Sequence, residues 1–77
     1  MIKVEILGSG CKKCKMLAEE TSKAAKNLGI DIDLVKVTDF TEIAKYGVMS
    51  TPGLVVNGQV KFSGEVKKSK DIEPFLA

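Results

Sequence analysis

The chain contains no histidine and no tryptophan. Without His, no imidazole can act as a general base or supply a metal ligand, so His-based catalysis and every His-containing metal site are excluded from these residues. Net charge is also nearly absent, because twelve lysines face ten acids for a formal +2. That balance does not make a nucleic-acid binder. No apolar run approaches the ~20 residues of a membrane span. The opening residues, MIKVEILG, lack the apolar core of a signal peptide, and the expected location is cytoplasmic. A chain of 77 residues of this kind hides about 60–65% of its unfolded surface, which gives a thin core and one domain over 1–77. At 44% hydrophobic and 29% charged the composition is that of a globular domain, not a disordered tail.

Cysteine is scarce too. Cys11 and Cys14 alone cannot form the framework of a secreted mini-protein, which needs several long-range bridges. A bridge closing so short a loop would stabilise by only about 2 kcal/mol. If the two residues pair, the pairing serves chemistry rather than stability.

The hydrophobic pattern changes period along the chain. Ile2, Val4 and Ile6 alternate with Lys3 and Glu5, which is a strand, and Gly8-Ser9-Gly10 follows as a turn. From Cys11 the apolar positions Cys14, Leu17, Ala18, Thr21, Ala24, Ala25 and Leu28 fall on one helical face. Glu19 and Lys23 are ordered for an i,i+4 ion pair, and Gly29 sits where a C-terminal cap belongs. Ile30–Val37 reads as a second strand. Asp39 and Glu42 form a capping box for a short helix that Gly47 closes. Leu54–Val56, Asn57-Gly58 and Gln59–Phe62 read as a hairpin with a type I′ turn. Ser69 is placed to cap a last helix through Leu76, with Pro74 expected to disturb its final turn. The order β-α-β-α-β-β-α makes the first two strands parallel and the last two antiparallel.

Chemistry concentrates at Cys11-Lys12-Lys13-Cys14, where strand meets helix. Residues i and i+3 in a first helical turn have Cα atoms roughly 5–6 Å apart, within disulfide range. Cys11 at the N-cap faces open backbone N–H groups and the positive end of the helix dipole, which favour its thiolate. Cys14, covered by the helix, titrates higher. The pair is therefore asymmetric, with Cys11 attacking and Cys14 resolving. Lys12 and Lys13 are candidates for lowering the Cys11 pKa, each unit moving the couple by ~30 mV toward the dithiol. The alternative is two solvated side chains. Glu5, mid-strand on a central strand, is either a buried acid beneath the Cys pair, moving protons in place of the missing His, or a residue on a solvated face or a partner for Lys. Thr51-Pro52 precedes the third strand, where a Pro cannot donate to a ladder. Composition alone favours an ordinary trans bond there.

The Cys11/Cys14 motif opening the first helix, Thr51-Pro52 lying 38 residues beyond Cys14, the Asn57-Gly58 hairpin and Gly64 before the last helix together resemble the thioredoxin superfamily. Among its members the chain is most similar to the small thioredoxin-like, redox-active disulfide proteins, intermediate in size between thioredoxin and glutaredoxin. The resemblance spans essentially the whole chain. It implies a thioredoxin fold, a four-stranded mixed sheet in order 2-1-3-4 with three helices on its two faces. It also implies that Cys11 attacks a substrate disulfide and Cys14 resolves the mixed disulfide. Pro52 would be cis beside the Cys pair, with the Thr51 backbone exposed to an extended substrate. Gly64 would permit close approach to that loop, and Glu5 stands six residues before Cys11, where thioredoxin carries a buried acid.

The expected partners are disulfide-containing proteins and a flavin-dependent reductase as electron donor. No cofactor beyond a Cys11–Cys14 disulfide, no metal, no nucleic acid and no membrane is expected, and the chain is expected to be a monomer. In thioredoxin a Trp precedes the first Cys and Gly-Pro separates the pair, where this chain has Gly10 and Lys12-Lys13. The resemblance thus carries the reaction type, not the potential or the partner. A rival class is the small Cu(I)-chaperone domain, which shares strand, Gly-rich turn, C-x-x-C and helix, since two thiolates suit a soft cation. Against it stand Ser9 in place of that family's Met and a final helix in place of a final strand. A third class is a binding domain with an inactive Cys pair.

Overall fold

The computed structural model describes residues 2–8, 10, 12–48 and 50–76. Its elements are β1 (Ile2–Leu7), α1 (Lys12–Leu28), β2 (Ile32–Val37), α2 (Phe40–Lys45), β3 (Gly53–Val56), β4 (Gln59–Ser63) and α3 (Ser69–Leu76). The strands form one sheet in order β2-β1-β3-β4. β1 is central, parallel to β2 and antiparallel to β3, and β3 is antiparallel to β4.

Strand alternation divides β1 between two cores. Val4 and Ile6 join Leu54 and Val56 against Leu17, Ala18, Ala24 and Ala25 of α1 and Ile72 and Leu76 of α3. Leu7 and Val55 point the other way and meet Ile43 of α2. The three helices therefore lie on both faces, as the resemblance implies. Among the described residues no helix is long and apolar enough to cross a membrane.

Local chemistry explains where the elements stop, and it moves several expected boundaries. Helix α1 ends in a Schellman closure, with Ile30 N–H on the Ala25 carbonyl and Gly29 N–H on that of Lys26, both at 3.1 Å, and Gly29 at φ +68°. Ile30 is thus used by the helix end, and β2 begins at Ile32 rather than Ile30. On α1, Lys23 reaches Glu20 at 3.3 Å instead of Glu19. Asp39 caps α2 through Thr41 N–H at 2.9 Å, while Glu42 turns to Lys45 at 3.1 Å instead of completing a box. The hairpin turn has φ +50° at Asn57 and +81° at Gly58, the type I′ signature, and a bulge between Leu54 and Val55 shifts its register. Ser69 is not the cap of α3. The carbonyl of Lys68 receives the first helical N–H groups, from Asp71 and Ile72. The N–H of Ser69 itself is taken by the Glu20 carboxylate of α1 at 2.9 Å. Pro74 does not end α3, which continues as α-helix through Leu76.

Candidate active site

The site lies at the sheet end where β1 and β2 finish, β3 starts and α1 begins. Parallel pairing carries Leu7 alongside Val37, and Gly8 N–H adds one more rung to the Val37 carbonyl at 2.9 Å. On the other side Leu7 pairs with Gly53, so the same antiparallel register sets Gly8 opposite Pro52. The strands thereby bring two distant segments to one glycine.

Cys14 is buried on α1, only 5% exposed. Its Sγ occupies the space a side chain at Gly8 would need, and the Thr51 Cβ lies 3.7 Å from the same point. Gly8 makes room for that sulfur because it has no side chain. The Thr51–Pro52 peptide is cis, as the resemblance implies and composition alone did not. Pro52 is fully buried and Thr51 is exposed. The Pro52 carbonyl accepts Gly64 N–H at 2.8 Å, joining the end of β4 to this loop. A Cβ on Gly64 would come within 3.1 Å of Ser50, so the close approach expected of Gly64 is present.

Cys11 lies outside the described residues, as does Ser9. Lys12 and Lys13 are both exposed on the first turn of α1. Glu5 is buried at 7% exposure, so it does not lie on a solvated face. Tyr46 donates to its Oε2 at 2.5 Å and Lys3 stands 3.5 Å from Oε1, on the face of the sheet that α2 covers. That hydrogen bond, helped by burial, raises the Tyr46 pKa above its ordinary value. Glu5 is a buried acid with a Lys partner and a Tyr donor, across the sheet from the α1 face.

Four residues that sequence reasoning did not select also shape the site. Lys15, Lys36 and Thr38, with Gly8, line a cleft of about 50 Å³ at Cys14. The signal for Lys36 and Thr38 was available in topology, since the end of a parallel strand beside a helix start is where such folds place their chemistry. Gly8 carried no such signal. Among the described residues no cluster of three or more Cys, Asp or Glu is arranged to hold a metal ion.

A family model described as "Thioredoxin domain" matches residues 2–77. The chain is 36% identical over 77 residues to a thioredoxin of Methanothermobacter thermautotrophicus, with 100% of each chain covered. It is 40% identical over 76 residues to a thioredoxin of Methanocaldococcus jannaschii, covering 99% of this chain and 87% of that one. Among solved structures, a malaria-parasite thioredoxin-2, described as a component of protein secretion machinery, superposes with a TM-score of 0.71 at 23% identity. That match covers 99% of this chain and 81% of the other, and at this identity it speaks for the fold alone.

Proposed function

We propose that this chain, which belongs to the thioredoxin family of thiol–disulfide redox proteins, reduces protein disulfides through Cys11 and Cys14. The Cys11 thiolate attacks one sulfur of the substrate disulfide, forming a mixed disulfide and releasing the first substrate thiolate, which takes up a proton. Cys14 then gives up its proton and attacks Cys11 Sγ. The Cys11–Cys14 disulfide forms and the second substrate thiol leaves, so two electrons have passed from protein to substrate. A reductase, flavin-dependent in this reading, returns the chain to the dithiol.

The observation that supports this reading is the convergence of Cys14, Gly8 and the cis Thr51–Pro52 loop at one sheet end. A buried resolving thiol beside an exposed backbone segment suits capture of an extended substrate along Thr51. The whole of 1–77 acts as one thioredoxin-like domain, in the cytoplasm and as a monomer, with no cofactor besides its own disulfide. Lys12 and Lys13 stabilise the Cys11 thiolate by their charge.

Single-cysteine trapping tests the reading. Cys14→Ser and Cys11→Ser, metal-free, are exposed to a small disulfide, and adducts are followed by intact mass. Cys14→Ser is expected to form its mixed disulfide at least tenfold faster. Equal labelling at the rate of an ordinary thiol would sink the reductase reading and favour two-thiolate Cu(I) binding, which a Cu(I) titration would then test.

A further inference from the structure

The cleft at Cys14 continues beyond its own walls. Two of its lining residues, Lys15 and Lys36, also line a much larger groove of about 510 Å³ between α1 and β2. Its volume is that of an ordinary ligand cleft, ~300–1,000 Å³, whereas the cleft at the sulfur admits little more than a side-chain tip. β2 is an outermost strand, so the groove runs open along the edge of the sheet and borders the cleft at Cys14 through Lys15 and Lys36.

Its chemistry is one-sided. Lys15, Lys23 and Lys36 face a single carboxylate, Glu19, with Ala18 and Leu34 contributing apolar surface. Lys23 is partnered by Glu20 at 3.3 Å. Lys15 and Lys36 take part in none of the ion pairs among the described residues. On a chain whose total charge is only +2, this positive stripe is local to the approach to Cys14.

We propose that the groove seats an acidic segment of the protein substrate, adjacent to the disulfide under attack. The inference rests on the disulfide-reductase reading and names the substrate class for that site. Carboxylates of the segment meet Lys15 and Lys36, and its methylene groups lie on Ala18 and Leu34. Exposed charges of this kind act chiefly on the encounter rate and on the choice between partners, and salt screens them. Acidic substrates are therefore taken in preference to neutral ones at low ionic strength.

Binding is tested with a short Cys-free, Glu-rich peptide and its Gln counterpart, titrated into the full chain and followed by backbone amide shifts. Saturable shifts at Ala18, Ser22, Leu34 and Lys36 are expected with the Glu peptide only, weakening several-fold by about 0.3 M salt. Ser22→Glu, which adds a negative charge to the exposed helical wall away from the sulfur, should weaken binding at least threefold. Shifts that never saturate, or that scatter evenly over the surface lysines, would overturn the groove.

A kinetic arm separates the two readings. The wild type should reduce a peptide disulfide with acidic flanks several-fold faster than one with neutral flanks. Ser22→Glu should erase that difference and keep the neutral rate. Equal rates for both peptides in the wild type overturn the groove but not the reductase. Failure to reduce either peptide overturns the reductase, and with it the identity of the occupant as a substrate.

Discussion

Gly8 contributes to the site through a missing atom. Its backbone is held to Val37 at 2.9 Å, and Cys14 Sγ fills the place of its Cβ. Ala is compatible with the backbone here, since Gly8 is not among the glycines with positive φ, so a Gly8→Ala change acts by displacement of the sulfur. Overpacking of this kind costs about 1–3 kcal/mol. The variant should fold, with unchanged far-UV circular dichroism, and release its substrate from the mixed disulfide at least tenfold more slowly in single-turnover assays. At Glu5 the relevant neighbour is Tyr46. Tyr46→Phe should cost about 1 kcal/mol in urea unfolding at neutral pH, the typical worth of such a bond. Because the Tyr46 pKa is raised in the fold, its stabilisation is complete below the ordinary phenol value of about 10 and is lost as pH rises through the raised one. The wild type should therefore lose stability faster than Tyr46→Phe above about pH 10. The face occupied by Glu5 was legible in the sequence, because strand alternation puts it with Leu7 and opposite Val4 and Ile6. Its partner was not, since Tyr46 is 41 residues away.

Elements with local causes were the most readable. The I′ turn at Asn57-Gly58, the glycine closure of α1 and the apolar stripe from Cys14 to Ala25 all follow from neighbours within one or two turns. The start of α3 does not, because its first N–H is satisfied by Glu20, 49 residues away. That contact couples α1 to α3 and holds the Glu20 carboxyl below its usual pKa, the Ser69 bond being the leading cause and Lys23 the next. The sign is opposite to that of Tyr46. The contribution is present above the ordinary carboxylate value of about 4.3 and disappears as pH falls through the lowered one. Glu20→Gln keeps an acceptor for Ser69 and should show a shallower acid-side loss of stability than the wild type. Glu20→Ala should lower the unfolding midpoint at every pH.

At the scale of the whole molecule, 77 residues permit a stability of roughly 4–12 kcal/mol. Leu17 is fully buried between sheet and helices, and Leu17→Ala should remove about 2–5 kcal/mol, a large fraction of that total. Chemical denaturation should show the midpoint falling steeply, with part of the population unfolded at 37 °C. The overall topology was legible because crossover handedness and one hairpin leave few arrangements of four strands. The resemblance implied that Thr51-Pro52 lies beside the Cys pair, but the part of Gly8 in that meeting was not legible, because it depends on the register of three strands at once.

That register also divides the site by lifetime. β1 is hydrogen-bonded to a strand on each side, and Gly8 ends its ladder. Amides so placed open only when the molecule unfolds as a whole. Hydrogen exchange at Val4, Ile6 and Leu7 should be the slowest in the chain, while the exposed positions Ser50 and Thr51 should exchange orders of magnitude sooner. The floor beneath the Cys14 sulfur would then keep one shape for as long as the protein stays folded. The Ser50–Thr51 lip would be renewed many times in that interval, so that, on the proposed reading, a single rigid floor would serve substrates of different outline.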